Sequence, residues 1–167
     1  AAITERIGLR PCLDVNGVHS GYGGAGAKTI IPCSAMAKIT VRLVAGQDPQ
    51  HCLEALVRHL EKNVPPGFRM DIQEKGAGSP GLRLDPDSPL AAKAKRVLDQ
   101  LTEHKAVYHW MGGSIPIVTG LARVAGAAPL MVGFSSESDS IHAPNESFSL
   151  DQFRLGFMYN GMVLQTI

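Results

Sequence analysis

The sequence predicts an α+β unit built on an antiparallel sheet with a helix, followed by an α/β part. Three observations carry that expectation. Cys12–Val18 and Ala35–Val44 alternate apolar and polar residues, the period-two pattern of a sheet with one covered face. Leu53, Leu56, Val57 and Leu60 recur at helical spacing just after the second run, so a helix should lie on that sheet. Past the small-residue stretch Ala77-Gly78-Ser79-Pro80-Gly81, helical patterns alternate with short apolar runs, as in a partly parallel sheet.

Taken in order, Ala1–Gly8 is a short amphipathic piece of undetermined state. Gly21–Thr29 superficially resembles a phosphate-binding loop. In that motif Gly-Lys-Ser/Thr is contiguous, whereas here Ala27 separates Gly26 from Lys28, and Thr29-Ile30-Ile31-Pro32 is extended where a helix should open. A flexible glycine loop between strands is the better reading. Asp48 and Pro49 supply the cap and first turn of the helix, and Pro65-Pro66-Gly67 ends it. Phe68–Ile72 is a third alternating strand. Asp87-Ser88-Pro89 caps a helix over Leu90–Leu101, and Val107–Trp110 is a short strand. Gly112-Gly113-Ser114-Ile115-Pro116 turns into a helix ending near Gly126. Pro129–Phe134 is a buried strand, and Leu150–Leu164 is the last helix. The change of texture places a boundary near residues 77–85, dividing the chain into 1–78 and 79–167.

Composition excludes several function classes. The 167 residues are 44% hydrophobic and 19% charged, with a formal net charge of +1, enough for a core and too balanced for nucleic acid. No apolar run is long enough to span a membrane. Ala1–Leu9 lacks the apolar core of a signal peptide, although a sequence without an initiator Met leaves targeting open. Cys12, Cys33 and Cys52 have no metal-ligand spacing, and three cysteines fit a reducing compartment, the cytoplasm, better than a disulfide framework.

The loop Ser138–Glu146 holds the most chemistry. It joins a buried strand to a helix, where a scaffold can present side chains to water and substrate. His142 stands between Asp139 and Glu146, a setting suited to an imidazole that binds a metal or moves a proton. On these residues alone the plainer reading is preferred: a loop histidine, with Asn145 and Glu146 capping the next helix.

Four motifs in order carry a resemblance: Ala27–Pro32, Arg42-Leu43-Val44, Gly112–Pro116 and Ile141–Glu146. With Arg10-Pro11 to Asn16-Gly17 and Gly46–Pro49, they resemble the co-catalytic zinc peptidases. That family includes carnosine dipeptidase, the glutamate carboxypeptidases, aminoacylase and succinyl-diaminopimelate desuccinylase, and the likeness is to its dipeptidase branch. The resemblance implies an α+β lid or dimerisation domain over 1–78, incomplete at its start. The C-terminal α/β part of the catalytic domain would follow over 79–167. It implies a metallopeptidase that hydrolyses dipeptides or related N-acyl amino acids through water activated by two zinc ions. The general base and all but one of the metal ligands would lie upstream, so this stretch alone is expected to be inactive and to hold zinc partly or not at all.

Position by position, the resemblance makes His142 the last metal ligand, with Asp139 or Glu146 orienting its second nitrogen. Ser138 stands where many relatives have a further Asp. Arg42 would grip the substrate's terminal carboxylate through two parallel hydrogen bonds. Its alternative is a solvated strand residue. Thr29, Gly113 and Ser114 would contact the rest of the substrate, while Met111 replaces a Glu of some relatives. His19 is not the lid histidine of the family, which lies further upstream. The implied partners are a small peptide substrate and a second copy in a homodimer through the lid, with no nucleic acid and no membrane. A non-catalytic fragment that only self-associates is the competing expectation.

Overall fold

The computed structural model describes residues 2–113 and 115–166. Its elements are α1 (Ile3–Leu9), β1 (Cys12–Ser20), β2 (Ala35–Arg42), α2 (Pro49–Lys62), α3 (Pro89–Leu101), α4 (Ile117–Ala125) and α5 (Leu150–Leu164). The fold is α+β, with a two-stranded antiparallel sheet and helices. The chain divides into two compact units, Ala1–Arg83 with Trp110–Leu121, and Leu84–His109 with Ala122–Ile167.

In the first unit, β1 pairs with β2 from Cys12 opposite Arg42 to Ser20 opposite Ala35. Val15 faces Ile39 and Gly17 faces Lys38, so Asn16 is an extra residue in β1, a β-bulge. The bulge explains the apolar spacing of β1. Leu13, Val15 and Val18 break strict alternation, yet they pair with Val41, Ile39 and Ala37, which alternate in β2. One inserted residue thus keeps all six on one face. Leu13, Val15 and Val18 remain 50%, 55% and 74% exposed, so α2 does not cover that face as its position in the sequence predicts.

The α2 helix starts as expected. Asp48 Oδ1 accepts from His51 N at 2.7 Å, with Pro49 in the first turn. Leu53, Leu56, Val57 and Leu60 form a half-buried stripe along it. Gly81 passes so close to the chain at Leu43–Ala45 that a Cβ there would come within 2.6 Å of the Val44 carbonyl carbon.

In the second unit, α3 and α5 pack together around Ala94, Val97, Tyr159 and Val163. Leu130, Val132 and Phe134, each two apart, pack on this cluster, and the Phe134 ring meets Tyr159 edge-on at 5.5 Å. Pro129–Phe134 therefore presents one alternating face to the helices, as a strand does. It is not hydrogen-bonded into a sheet, however, and neither are Phe68–Ile72 and Val107–Trp110. These three predicted strands are corrected. An apolar or alternating run becomes a strand only when a neighbour satisfies its backbone groups, and no ladder partner lies beside them among the described residues.

The C-terminal end of α3 is tied by Asp99, whose carboxylate accepts from Lys95 Nζ at 2.8 Å and from Ala106 N at 2.6 Å. The hydrogen bond from Lys95, then that from Ala106, hold the Asp99 carboxyl below its ordinary value. A depressed folded-state pKa stabilises above the unfolded-state value of about 3.9 and is lost as pH falls through the folded-state value. Asp99→Asn is therefore expected to remove part of the acid sensitivity of unfolding while leaving neutral-pH stability slightly lower. Urea midpoints measured from pH 7 down to 2.5 check this, and parallel curves for the two proteins would refute it.

Among the described residues, no helix is long and apolar enough to cross a membrane.

Candidate functional site

The predicted site residues fall in different units. In the first, Arg42 closes β2 opposite Cys12. Its Nη1 donates to the Gly112 carbonyl at 3.1 Å, and its Nε lies 3.9 Å from Asp14 Oδ2. Both side chains of this ion pair are more than half exposed, so the pair orients the guanidinium and adds little to stability. The fold thus brings Arg42 beside the Gly112–Gly113 turn, 70 residues away in sequence. The two glycines differ in role. A Cβ on Gly112 would lie 2.5 Å from the Ile7 carbonyl oxygen, so Gly112 is required where the turn crosses the end of α1. On Gly113, among the described residues, it would meet only Met111, at 3.5 Å, an ordinary contact, so that position is less crowded. Ser114 lies outside the described residues.

Thr29 is exposed in the connection between β1 and β2, and no hydrogen bond among the described residues ties it to Arg42 or Gly112. In the same connection the Lys28 ammonium sits 5.3 Å from the Tyr22 ring centre. No helix follows the glycines; the next element is β2. Desolvation first, and then the Asp14 carboxylate 3.5 Å from its sulfur, push the Cys12 thiol above its ordinary value. Cys12 is accordingly a thiol and not an anionic neighbour of Arg42.

In the second unit, His142 is exposed at the centre of its loop, with φ at 62°. Asp139 does not orient it. That carboxylate is turned inward, accepting from Ser136 N at 2.8 Å and from Gln152 Nε2 at 3.0 Å, as the closing residue of a capping box on the short 3-10 turn Glu137–Asp139. Nor does any hydrogen bond among the described residues join Glu146 to His142. The expected cap of α5 is also corrected. Ser149 Oγ accepts from Gln152 N at 3.1 Å, and Gln152 Oε1 accepts from Ser149 N at 2.8 Å. The helix begins at Leu150, which puts Asn145 and Glu146 too far upstream to reach its first amides. The signal was present in Ser149-Leu150-Asp151-Gln152, a capping-box pattern. Asp14 was also missed as the neighbour of Arg42, because only the bulged register sets the two near each other.

Among the described residues, no three His, Cys, Asp or Glu side chains converge to hold a metal ion. A catalytic zinc needs about three protein ligands and an open position. The described residues therefore bring together fewer candidate ligands than such a site needs.

Residues 4–67 match the peptidase dimerisation domain of the M20 peptidases. Over 152 residues, or 86% of its length, the chain is 24% identical to the Cys-Gly metallodipeptidase DUG1 of Candida albicans, and covers 30% of that protein. Identity to the Saccharomyces cerevisiae Cys-Gly metallodipeptidase DUG1 is also 24%, over 93% of this chain and 33% of that one. The M20 family metallo-carboxypeptidase Sso-CP2 of Sulfolobus solfataricus superposes with a TM-score of 0.77 at 26% identity, over 96% of this chain and 36% of that one. The chain thus spans about a third of the length of the curated relatives it matches. Residues 4–67 thus match an M20 peptidase dimerisation domain, and the chain as a whole is similar in sequence and fold to M20 metallopeptidases.

Proposed function

We propose that this chain is the lid and the C-terminal catalytic portion of a metal-dependent peptidase that hydrolyses dipeptides or related N-acyl amino acids. In this reading residues 1–78 are the lid and 79–167 complete the catalytic domain. Arg42 holds the substrate's terminal carboxylate. Thr29, Gly113 and Ser114 line the remainder of the substrate, and His142 is a ligand to one of two divalent ions, zinc first among them. The observation that supports it best is the 3.1 Å bond from Arg42 to Gly112. It seats the proposed carboxylate anchor against a turn whose next residue is less crowded. A guanidinium has five N–H donors, so the bond to Gly112 and the approach of Asp14 to Nε still leave N–H groups for a carboxylate. The dimerisation domain and the exposed apolar face of β1 support a homodimer through the lid. Three free cysteines agree with a reducing compartment such as the cytoplasm.

Self-association without catalysis is the second reading, favoured by that same face of Leu13, Val15 and Val18 and by the unpaired outer edges of a two-stranded sheet. One experiment separates the two. Zinc content and hydrolysis of a dipeptide panel are measured for this chain alone and for the full product of its gene. The panel begins with Cys-Gly, the dipeptide in the names of the relatives. Hydrolysis by the full product, abolished by a chelator and restored by zinc, is the expected result. A metal-loaded full product that dimerises and cleaves nothing in the panel leaves only the second reading.

A further inference from the structure

Behind the His142 loop, two polar side chains, those of Asp139 and Gln152, bind the second unit's separate pieces together. Asp139 is only 4% exposed, and its carboxylate is satisfied wholly by neutral donors, Ser136 N and Gln152 Nε2. Its backbone carbonyl accepts from Ser147 N at 2.9 Å, which ties the two ends of the loop together. Gln152 uses the rest of its amide on two further pieces. Nε2 donates to the Phe134 carbonyl at 2.9 Å, and Oε1 accepts from Ser149 N at 2.8 Å. One side chain thereby joins the end of the Pro129–Phe134 run, the 3-10 turn and the first turn of α5.

The loop closed by this arrangement contains Ser140, His142 and Asn145 at φ 54°, 62° and 65°, the non-glycine residues with positive φ among those described. Side-chain-bearing residues are rarely held in that region, because Cβ crowds the backbone, and they persist where the surroundings fix them. Within the loop only Ala143 N to Ser140 O, at 2.9 Å, and Glu146 N to Ala143 O, at 3.2 Å, support the conformation. The remaining constraint is the tie at its base.

We propose that Asp139 and Gln152 are positioning residues for His142. They clamp both ends of the loop and so hold the histidine backbone in its left-handed conformation without either side chain touching the ring. The inference rests on the reading of His142 as a functional group, but the clamp has a readout of its own.

The test uses the full-length enzyme and a dipeptide with a free terminal carboxylate. Gln152→Glu keeps the acceptor for Ser149 N while setting a second carboxylate against Asp139 and removing the donor to Phe134. Amide exchange over residues 140–147 is expected to speed up about tenfold or more. A loss of roughly tenfold to a hundredfold in kcat, with KM within about twofold, should accompany it, the size expected of a misplaced group. Asp139→Asn, which keeps the shape and removes the charge, should move both readouts the same way by less. Combined with Gln152→Glu it re-creates the donor–acceptor pair between 139 and 152, though not the bond to Phe134, and should recover part of both. Ser149→Ala removes a cap bond outside the clamp and should leave loop exchange and kcat within about twofold. Unchanged exchange at 140–147 in Gln152→Glu, or no recovery in the double variant, overturns the clamp. His142→Ala separates the two levels. If it is fully active, the reading of His142 has failed. If it is inactive while Gln152→Glu retains full kcat, the inference has failed and the reading stands.

Discussion

Arg42→Ala in the full-length enzyme is expected to lower kcat/KM on free-acid dipeptides by roughly 30-fold or more and to lower it on amidated dipeptides by a much smaller factor. The size follows from removing one partner of a charge-assisted pair of hydrogen bonds in a closed site, on the order of 2–5 kcal/mol, with about 1.4 kcal/mol per tenfold. Arg42→Lys should recover only part of the loss, since an ammonium keeps the charge and not the planar fork. The amidated substrate is the control that the structure makes necessary. Arg42 also donates to the Gly112 carbonyl, so its removal loosens the turn as well. A loosened turn harms both substrates, whereas a lost carboxylate anchor harms only the free acid. Equal loss on both would make Arg42 a structural residue of β2 and withdraw it from the substrate site.

Tyr159→Ala should be the most damaging single change in the second unit, while Tyr159→Phe should cost little or even stabilise. Tyr159 is 3% exposed at the centre of the α3–α5 contact, and its ring meets Phe134. Truncating such an aromatic ring costs about 3–5 kcal/mol, a large share of the roughly 5–15 kcal/mol that holds a domain together. The hydroxyl behaves oppositely. It is buried with no hydrogen-bond partner among the described residues, and burial pushes its pKa above the ordinary tyrosine value. An unsatisfied buried hydroxyl is a cost that Phe does not carry. Denaturant unfolding of the three proteins, followed through α-helical signal, measures the order. A Phe variant as damaged as the Ala variant would mean that the hydroxyl has a partner and that the packing argument is wrong.

Much of the first unit was legible because its signals are local. The alternation in Ala35–Val44 anticipated β2, and Asp48-Pro49 fixed the start of α2 through a side chain and a ring that act within one turn. The Ser88-Pro89 start of α3 was readable for the same reason. Where reading failed, the missing information was non-local. Leu130, Val132 and Phe134 carry the pattern of a buried strand and do pack as one face, but the pattern cannot say whether a neighbour will supply the ladder. Asp139 lies three residues from His142, and proximity in sequence made it an apparent partner for the ring. Its carboxylate instead closes the capping box with Ser136 N and accepts from a glutamine 13 residues away, a partner that only the packing of α5 supplies.

By itself the sequence determined which segments prefer helix or strand, where α2 and α3 begin, and which residue types are available for chemistry. Those properties depend on caps, ring constraints and side-chain periodicity within a few residues. Only the tertiary structure decided that Asn16 is an inserted residue, so that Leu13, Val15 and Val18 share a face, and that Arg42 reaches the Gly112 carbonyl. It also decided which side of α5 is inside. That helix is apolar nearly all round, with Tyr159 and Val163 buried but Leu150, Phe153, Phe157 and Leu164 exposed. A periodic pattern points to one face only when the other face is polar, so for α5 the choice fell to the packing surface offered by α3 and the 130–134 segment.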